Sequence, residues 1–353
     1  MSASGNNTFS LGKSDHEKTN QHCPGLLVQN AFLGSSCFLG IISNSIILAF
    51  IFKSRRGGFT PDKILITNFA GVDLLACLVS LPLHVRAING DSSLEDNGVC
   101  LARFFTMFTS FAVNIMTLAA ISIDRYDAIC RAPFREITCR KTAYYLVFIW
   151  LFASCTAAAG GTGHVLTAVR SEHVCLIPER EIPSGALTGK SVMLAVVTLW
   201  IVPSLGIMFC KFYAIVKYVQ EHSVHLRSVL GASGIKREVK LTKICAAMVI
   251  TYLSFWIMFA VMVLLRNRFS SLAVHCTYIW SYSLAFSSFT IVPIEYMILD
   301  KRLLAFVWQK FARKSRKISV EDVSNPKILY MKRVLQQESM ESHEDVNSSA
   351  EQK

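Results

Sequence analysis

The sequence predicts an all-α membrane protein, a seven-transmembrane helix bundle followed by a short amphipathic eighth helix. Of its 353 residues 52% are hydrophobic, and they are grouped in blocks of about 20 rather than spaced at an amphipathic period. Within a bilayer every backbone polar group needs an internal partner, so we interpret these blocks as helices. Lys and Arg are concentrated in alternate connections between the blocks, a bias typical of cytoplasmic loops.

Seven predicted spans divide the chain into four regions. The spans cover residues 26–52, 64–85, 101–123, 143–163, 192–219, 239–265 and 273–299. Residues 1–25 are expected to form an extracellular N-terminal tail, and residues 26–299 form the transmembrane domain. Residues 300–312 are predicted to form an interfacial helix, and the Ser-rich and Glu-rich segment 313–353 a disordered cytoplasmic tail.

The distribution of basic residues predicts the orientation. Four Lys and Arg lie in 53–63, five in 125–141, seven in 211–243 and seven in 301–317, against eight in the N-terminal segment and the other three loops together. The N-terminus is therefore expected outside, where Asn6 begins a glycosylation acceptor, Asn6-Asn7-Thr8. The formal net charge of +12 is explained by the anionic inner face of the lipid bilayer, so it calls for no nucleic acid as a partner.

The predicted interfacial helix has apolar residues on one side and bases beside them. The apolar positions are 303, 304, 306, 307, 308 and 311. A helix of this kind, placed directly after a span, favours a location on the inner leaflet. The alternative is an ordinary solvated helix.

Charged residues near the inner ends of two spans predict a contact between them. Arg125 follows Asp124 at the end of the third span, and Glu238 precedes Trp256 by 18 residues in the sixth. Eighteen residues are five helical turns, about 27 Å on one face. Glu238 should therefore meet the end of the third helix while Trp256 lies far deeper in the bundle. The alternative is that Glu238 is one charge on a solvated face.

Landmark residues occur one set per span and in a fixed order. They are Asn44, Asn68 with Asp73, Asp124-Arg125-Tyr126, Trp150, Pro203, Phe255-Trp256, and Pro293-Ile294-Glu295-Tyr296. In this arrangement residues 26–311 resemble the rhodopsin-like (class A) G-protein-coupled receptors. The resemblance implies a plasma-membrane receptor, not an enzyme, that activates a heterotrimeric G protein. It further implies regulation by receptor kinases and arrestin acting on the Ser-rich tail.

The resemblance also implies roles for individual residues. The switch would comprise Asp124, Arg125, Tyr126, Glu238, Trp256, Pro293 and Tyr296. The polar core would comprise Asp73, Asn44, Asn114 and Ser288, with Asp73 as a sodium ligand. Val292 occupies a position where relatives usually have Asn, and this weakens the prediction of sodium binding.

Outer cysteines are expected to form disulfides. By the same resemblance Cys100 would pair with Cys175 and join the third helix to the second outer loop. A second bridge between Cys23 and Cys276 resembles the arrangement in chemokine-like receptors. The alternative is one free thiol and one buried thiol.

Two residue types that are missing from the spans limit the class of ligand. The seventh span contains no Lys, so a retinal Schiff base is excluded and no cofactor is expected. No acid lies between Cys100 and Asp124 to balance an amine. Bases and aromatic residues at the outer ends predict a peptide or anionic ligand, because Arg suits carboxylates and phosphates. The predicted pocket residues are Arg86, Arg103, Met107, Lys190, Phe259, Arg266, Tyr278, Tyr282 and Phe286. The alternative is a solvated rim of bases balanced by neighbouring acids.

Two departures from the family's pattern leave other functions open. Met258 replaces the usual kinking Pro of the sixth span, and Lys211 replaces a Tyr of the fifth. Such changes also suit a constitutively active or poorly coupling receptor of orphan type. A transporter or channel is the alternative from another class, but the interior acids Asp73, Glu295 and Asp124 show no symmetry between halves.

Overall fold

The computed structural model describes residues 23, 25–54, 58–89, 97–132, 134–170, 187–266, 269 and 271–309. The helices are α1 (Leu26–Lys53), α2 (Pro61–Leu75), α3 (Leu81–Ile88), α4 (Asn97–Cys130), α5 (Cys139–Arg170), α6 (Leu187–Glu221), α7 (Ser223–Arg266) and α8 (Leu272–Leu299). A ninth helix, α9, covers residues 301–309. Residues 1–22 and 24 of the predicted tail 1–25, and with them Asn6, lie outside the described residues, as does the predicted tail 313–353.

Seven helical segments in this part of the chain are long and apolar enough to cross a membrane. They are Leu26–Lys53, Pro61–Arg86, Leu101–Cys130, Cys139–Ala159, Thr198–Glu221, Ser233–Met262 and Leu272–Leu299. Each overlaps one predicted span, so the predicted seven-helix fold is confirmed. Several helices continue beyond the predicted spans because polar turns at their ends extend the helix without adding to the apolar block.

Two helices contain local irregularities. Between α2 and α3 the chain forms a π-helical segment, Ala76–Ser80, so these elements together make one continuous span. Within α7 the backbone leaves helical geometry at Gly231, where φ is 70°. Only glycine adopts this backbone region without strain. The segment from Ser233 to Met262 therefore forms the membrane span of α7.

The third span lies at the centre of the bundle. In its apolar window 78% of residues are buried, against 22% in the fourth and fifth spans. Helix α4 packs against α2, α5, α6 and α7. On its buried side Phe111 contacts Trp256 with ring centroids 4.3 Å apart. Residues of α4 therefore contact several helices at once, including α7 through Trp256.

Helix α1 approaches α8 and the π segment closely at Gly40. A Cβ atom added at Gly40 would lie 2.5 Å from the Cys77 sulfur and 2.6 Å from the Thr290 hydroxyl. By contrast, the same addition at Gly34 would meet nothing within 4 Å. The lack of a side chain at Gly40 therefore permits this three-way contact.

The predicted amphipathic helix is present over residues 301–309 as α9. The Asp300 carboxylate accepts a hydrogen bond from the backbone N–H of Arg302 (3.0 Å) at the start of the helix. Leu303 is fully buried, and the Phe306 ring packs 5.4 Å from that of Phe50 in α1. The apolar side of α9 thus covers the inner end of α1.

Candidate functional site

Arg125 lies at the inner end of α4 and joins it to α7. Its side chain is buried, and its Nε donates to Asp124 Oδ2 at 3.1 Å, with Nη2 bonded to the same oxygen. Its Nη1 donates to Glu238 Oε2 at 3.0 Å. The Glu238 side chain is 14% exposed, so it is not an isolated charge on a solvated face. The structure thus contains the contact that the helical spacing predicted.

A second arginine that the sequence did not single out binds the same acid. Arg135, in the loop after α4, pairs through Nη2 with Asp124 Oδ1. The adjacent acid Asp127 accepts a hydrogen bond of 2.8 Å from the backbone N–H of Ile137. These bonds fix the loop against the base of α4. No periodic signal predicts them, because the loop brings together residues that share no helical face.

Trp256 lies deeper in the bundle, as the 18-residue spacing from Glu238 predicts. It is buried, its indole N–H donates to Ser288 Oγ at 3.2 Å, and its ring packs on Phe111. Pro293 and Tyr296 are buried in the inner half of α8. Helix α7 therefore carries both a charge contact at its inner end and an aromatic contact near its centre.

The predicted polar core is only partly assembled. Asn114 donates to Asp73 Oδ1 at 2.6 Å. Asn44 instead bonds the carbonyl oxygens of Gly40 (2.9 Å) and Phe289 (3.1 Å). Ser288 is engaged with Trp256 and with its own helix.

The sodium site considered from the sequence stays a prediction. Asp73 Oδ2 and Asn114 Oδ1 are buried oxygens without a hydrogen-bond partner. Hard cations such as calcium and magnesium take about six oxygen ligands, and the buried residues of α8 include the apolar Phe289 and Val292. The described residues also contain no cluster of three or more acidic, His or Cys side chains placed to bind a metal.

At the outer end, several predicted pocket residues converge. Tyr282 contacts the Met107 sulfur, and its ring lies 4.9 Å from Phe259 and 5.0 Å from Phe286. Phe259 also packs on Tyr278, with centroids 5.7 Å apart. These side chains form an aromatic wall shared by α4, α7 and α8.

Polar groups adjoin this wall. Arg103 is 4% exposed, and its Nη2 lies 3.4 Å from His84 Nδ1. The His84 ring stacks on Phe286 at 5.0 Å, and its Nε2 is buried without a hydrogen-bond partner. Arg86 is exposed at the end of α3. Lys190 and Arg266 lie on α6 and α7, and their side chains are outside the described set.

One of the expected disulfides lies within the described residues. Cys23 and Cys276 are bonded, with Cα atoms 5.4 Å apart, and this bridge joins the N-terminal segment to the start of α8. Cys100 lies in α4. Its side chain and the whole of Cys175 are outside the described residues, so that pairing stays a prediction.

Comparison with known proteins gives a consistent result. The sequence pattern described as "7 transmembrane receptor (rhodopsin family)" matches residues 43–296. A "Rhodopsin, G0-coupled" from Mizuhopecten yessoensis is 31% identical over 123 residues, covering 35% of this chain and 31% of that protein. "Galanin receptor 2b" from Danio rerio is 23% identical over 307 residues, covering 82% of this chain and 79% of that protein.

The fold is likewise similar to a solved structure. The crystal structure of squid rhodopsin superposes with a TM-score of 0.66 and 23% identity, covering 81% of both chains. Matches to the first curated rhodopsins span between 31% and 54% of their length, so this chain spans about half of those relatives or less.

Proposed function

The chain belongs to the rhodopsin family of seven-transmembrane receptors, a class that is not enzymatic, and we propose that it converts binding of an extracellular ligand into activation of a heterotrimeric G protein. The observation that carries the proposal is the position of Arg125, bonded at once to Asp124 of its own helix and to Glu238 of α7. The bond between Arg125 and Glu238 holds α4 and α7 together, and it breaks when either helix moves away from the other.

The structure has the features expected of a closed state. The Arg125–Glu238 bond holds the inner end of α7 against α4. Outward movement of α7 breaks this bond and opens a groove between α4, α6 and α7, into which a helix of the G protein docks. Packing between Trp256 and Phe111 provides the physical link from the outer pocket to this end. A ligand activates the receptor to the extent that it binds the open state more tightly than the closed one.

For the ligand we propose a peptide or an anionic small molecule. Support comes from the buried Arg103 and His84 beside the aromatic wall, and from similarity to a protein named as a galanin receptor. Retinal is not proposed, although relatives are named rhodopsins, because no Lys occurs in α8 to form a Schiff base.

The proposed location is the plasma membrane, with the N-terminus outside. The concentration of Lys and Arg in 53–63, 125–141, 211–243 and 301–317 supports this orientation. It places Arg125 and Glu238 on the cytoplasmic side with the G protein. Receptor kinases and arrestin remain proposed partners of the Ser-rich segment after residue 312.

Nucleotide exchange on purified G proteins tests the function. The receptor, reconstituted in lipid nanodiscs, is mixed with representatives of each Gα class, and binding of a non-hydrolysable GTP analogue is followed with and without a peptide and metabolite library. We expect exchange on at least one class, and expect it to be lost in Arg125→Ala. Absence of exchange on every class, both for the wild type and for Glu238→Gln, would overturn the proposal.

A further inference from the structure

The outer pocket contains a buried polar group that lacks a hydrogen-bond acceptor. His84 on α3 is 2% exposed, and its Nδ1 lies 3.4 Å from Arg103 Nη2. A guanidinium group only donates hydrogen bonds, so Nδ1 is the acceptor and the ring proton is assigned to Nε2. Nε2 is buried without a hydrogen-bond partner. An acceptor beside Nε2 would stabilise the pocket, because a buried donor that stays unbonded is costly.

The helices that surround His84 supply no carboxylate at this level. None of the described helices has an Asp or Glu in its outer half. On the same span Asp73 lies 11 residues inward of His84, about 16 Å away, and it is bonded to Asn114. A carboxylate from outside the helices would suit the place, because its oxygens accept strong hydrogen bonds from both imidazole and guanidinium groups.

The N-terminal segment, residues 1–22, is attached at the rim of this pocket. The residue that follows it, Cys23, is bonded to Cys276 at the start of α8. Tyr282 comes six residues later on α8, about 9 Å along the helix. The Tyr282 ring lies 4.5 Å from the His84 ring. The disulfide therefore holds the end of this segment beside the helix that forms part of the pocket wall.

The N-terminal segment contains two acids within reach of His84. Glu17 precedes Cys23 by six residues and Asp15 by eight. Six extended residues span up to about 20 Å. The distance to cover is about 9 Å along α8 and one helix spacing of about 8–10 Å to the side, or about 13 Å in all. The length of chain before the disulfide is therefore sufficient.

We propose that the N-terminal segment is a built-in occupant of the outer pocket, in which a carboxylate of Asp15-His16-Glu17 accepts hydrogen bonds from His84 Nε2 and Arg103. This inference rests on the proposed function in taking the pocket as the ligand site, and an external ligand then has to displace the segment. Tethering gives an effective concentration of about 1 mM, so a contact that is weak between separate molecules still forms within one chain.

The second outer loop is the competing source of a carboxylate, since it contains Glu179 and Glu181. The N-terminal segment is favoured because its point of attachment is fixed by the bond to Cys276. A hydrogen bond of 2.6 Å from Gln29 Nε2 to Ser283 Oγ also holds the first turn of α1 against α8.

Protection of the N-terminal segment from trypsin tests the proposal without any signalling readout. Trypsin cleaves after Lys13 and Lys18, on either side of the two acids. Full-length receptor, made without N-linked sugar and held in nanodiscs, is digested beside a free peptide of residues 1–22, and both cleavages are timed by mass spectrometry. A contact with a dissociation constant of about 0.25 mM, at an effective concentration of about 1 mM, leaves about one fifth of the segment undocked. Cleavage should thus be about fivefold slower in the receptor than in the peptide.

Substitutions in the pocket should remove this protection while the segment itself is unchanged. His84→Phe deletes the unbonded N–H and keeps an aromatic ring against Phe286, and cleavage should then be as fast as in the free peptide. Arg103→Gln should have the same effect. Arg86→Gln is the matched control, because Arg86 is exposed at the end of the same helix and contributes only charge at the rim. Its cleavage should stay slow.

Equal rates in wild-type receptor and free peptide, or slow cleavage in His84→Phe, would overturn the proposal. Loss of protection in the double variant Glu179→Gln/Glu181→Gln would identify the second outer loop as the occupant and would overturn it too.

The double variant Asp15→Asn/Glu17→Gln carries the test if His84→Phe fails to fold, because these acids lie outside the helices. It should be cleaved as fast as a peptide with the same changes, and combining it with His84→Phe should add nothing. Retained protection in this variant contradicts the proposal. Since the digestion uses neither ligand nor G protein, absence of nucleotide exchange would overturn the proposed function alone.

Discussion

Replacing Glu238 by Gln should raise the ligand-free activity of the receptor. The substitution keeps the size of the side chain and removes its charge, 3.0 Å from Arg125 Nη1. Arg125 would keep both bonds to Asp124, so its charge is not left unpaired. The Gln amide oxygen can still accept a hydrogen bond from Arg125, so the loss is the attraction between the two opposite charges, about 2 kcal/mol, similar to a hydrogen bond between charged groups.

A loss of about 2 kcal/mol changes the ratio of open to closed receptor about 30-fold. A receptor that is about 1% open would become about 20% open. Because the bond joins α4 to α7, its loss disfavours the closed state and has little effect on the open one. We therefore expect a rise of at least about tenfold in ligand-free nucleotide exchange.

The assay compares wild type and Glu238→Gln in nanodiscs at equal receptor concentration, with no ligand and one purified G protein. Glu221→Gln is the control, since Glu221 is 53% exposed and lies 3.9 Å from Lys217. Its exchange rate should match that of the wild type. Unchanged or reduced exchange in Glu238→Gln, with normal thermal stability, would refute the role given to this ion pair.

Two further substitutions test packing and the loop after α4. Gly40→Ala should lower the free energy of unfolding by about 1–3 kcal/mol, because the new methyl group overlaps neighbouring side chains. Thermal unfolding in detergent should show a lower midpoint for Gly40→Ala and an unchanged midpoint for Gly34→Ala. Equal midpoints for the two variants would contradict the close packing at Gly40. Arg135→Ala should reduce ligand-free exchange, since Asp124 is then left to Arg125 alone and holds it more tightly. Arg131→Ala, which does not contact Asp124, should have a smaller effect, and increased exchange in Arg135→Ala would contradict this account.

The sequence predicted those parts of the structure that follow from regular spacing along the chain, namely the length of apolar blocks and the number of helical turns between residues. The helix bundle follows from apolar blocks of span length, which admit few alternatives in a bilayer. The contact between Arg125 and Glu238 followed from counting turns back from Trp256, because an α-helix fixes which residues share a face. The pairing of Cys23 with Cys276 was one of two alternatives that remained open.

The parts that the sequence did not predict depend on loop geometry and on competition between partners. Arg135 reaches Asp124 because the loop folds back on α4, and no pattern in the sequence encodes that reversal. Asn44 and Ser288 were grouped with Asp73 by family resemblance. In the structure backbone carbonyls and the Trp256 indole bind them instead, because these groups compete equally well for their hydrogen bonds.

The positions of the acidic side chains along the helices favour a receptor over a transporter. Asp124 and Asp127 lie at the inner end of α4, each within reach of arginines, and Glu295 is one turn from the inner end of α8. Asp73, deep in α2, is bonded to a neutral amide. A transport path is expected to hold ionic groups near the middle of the membrane, where substrate is exchanged between the two sides. Among these acids only Asp73 lies deep in the bundle, and a single carboxylate does not make a path across it. The charges at the inner end can instead hold two helices together until those helices separate, as the ion pair of Arg125 and Glu238 requires.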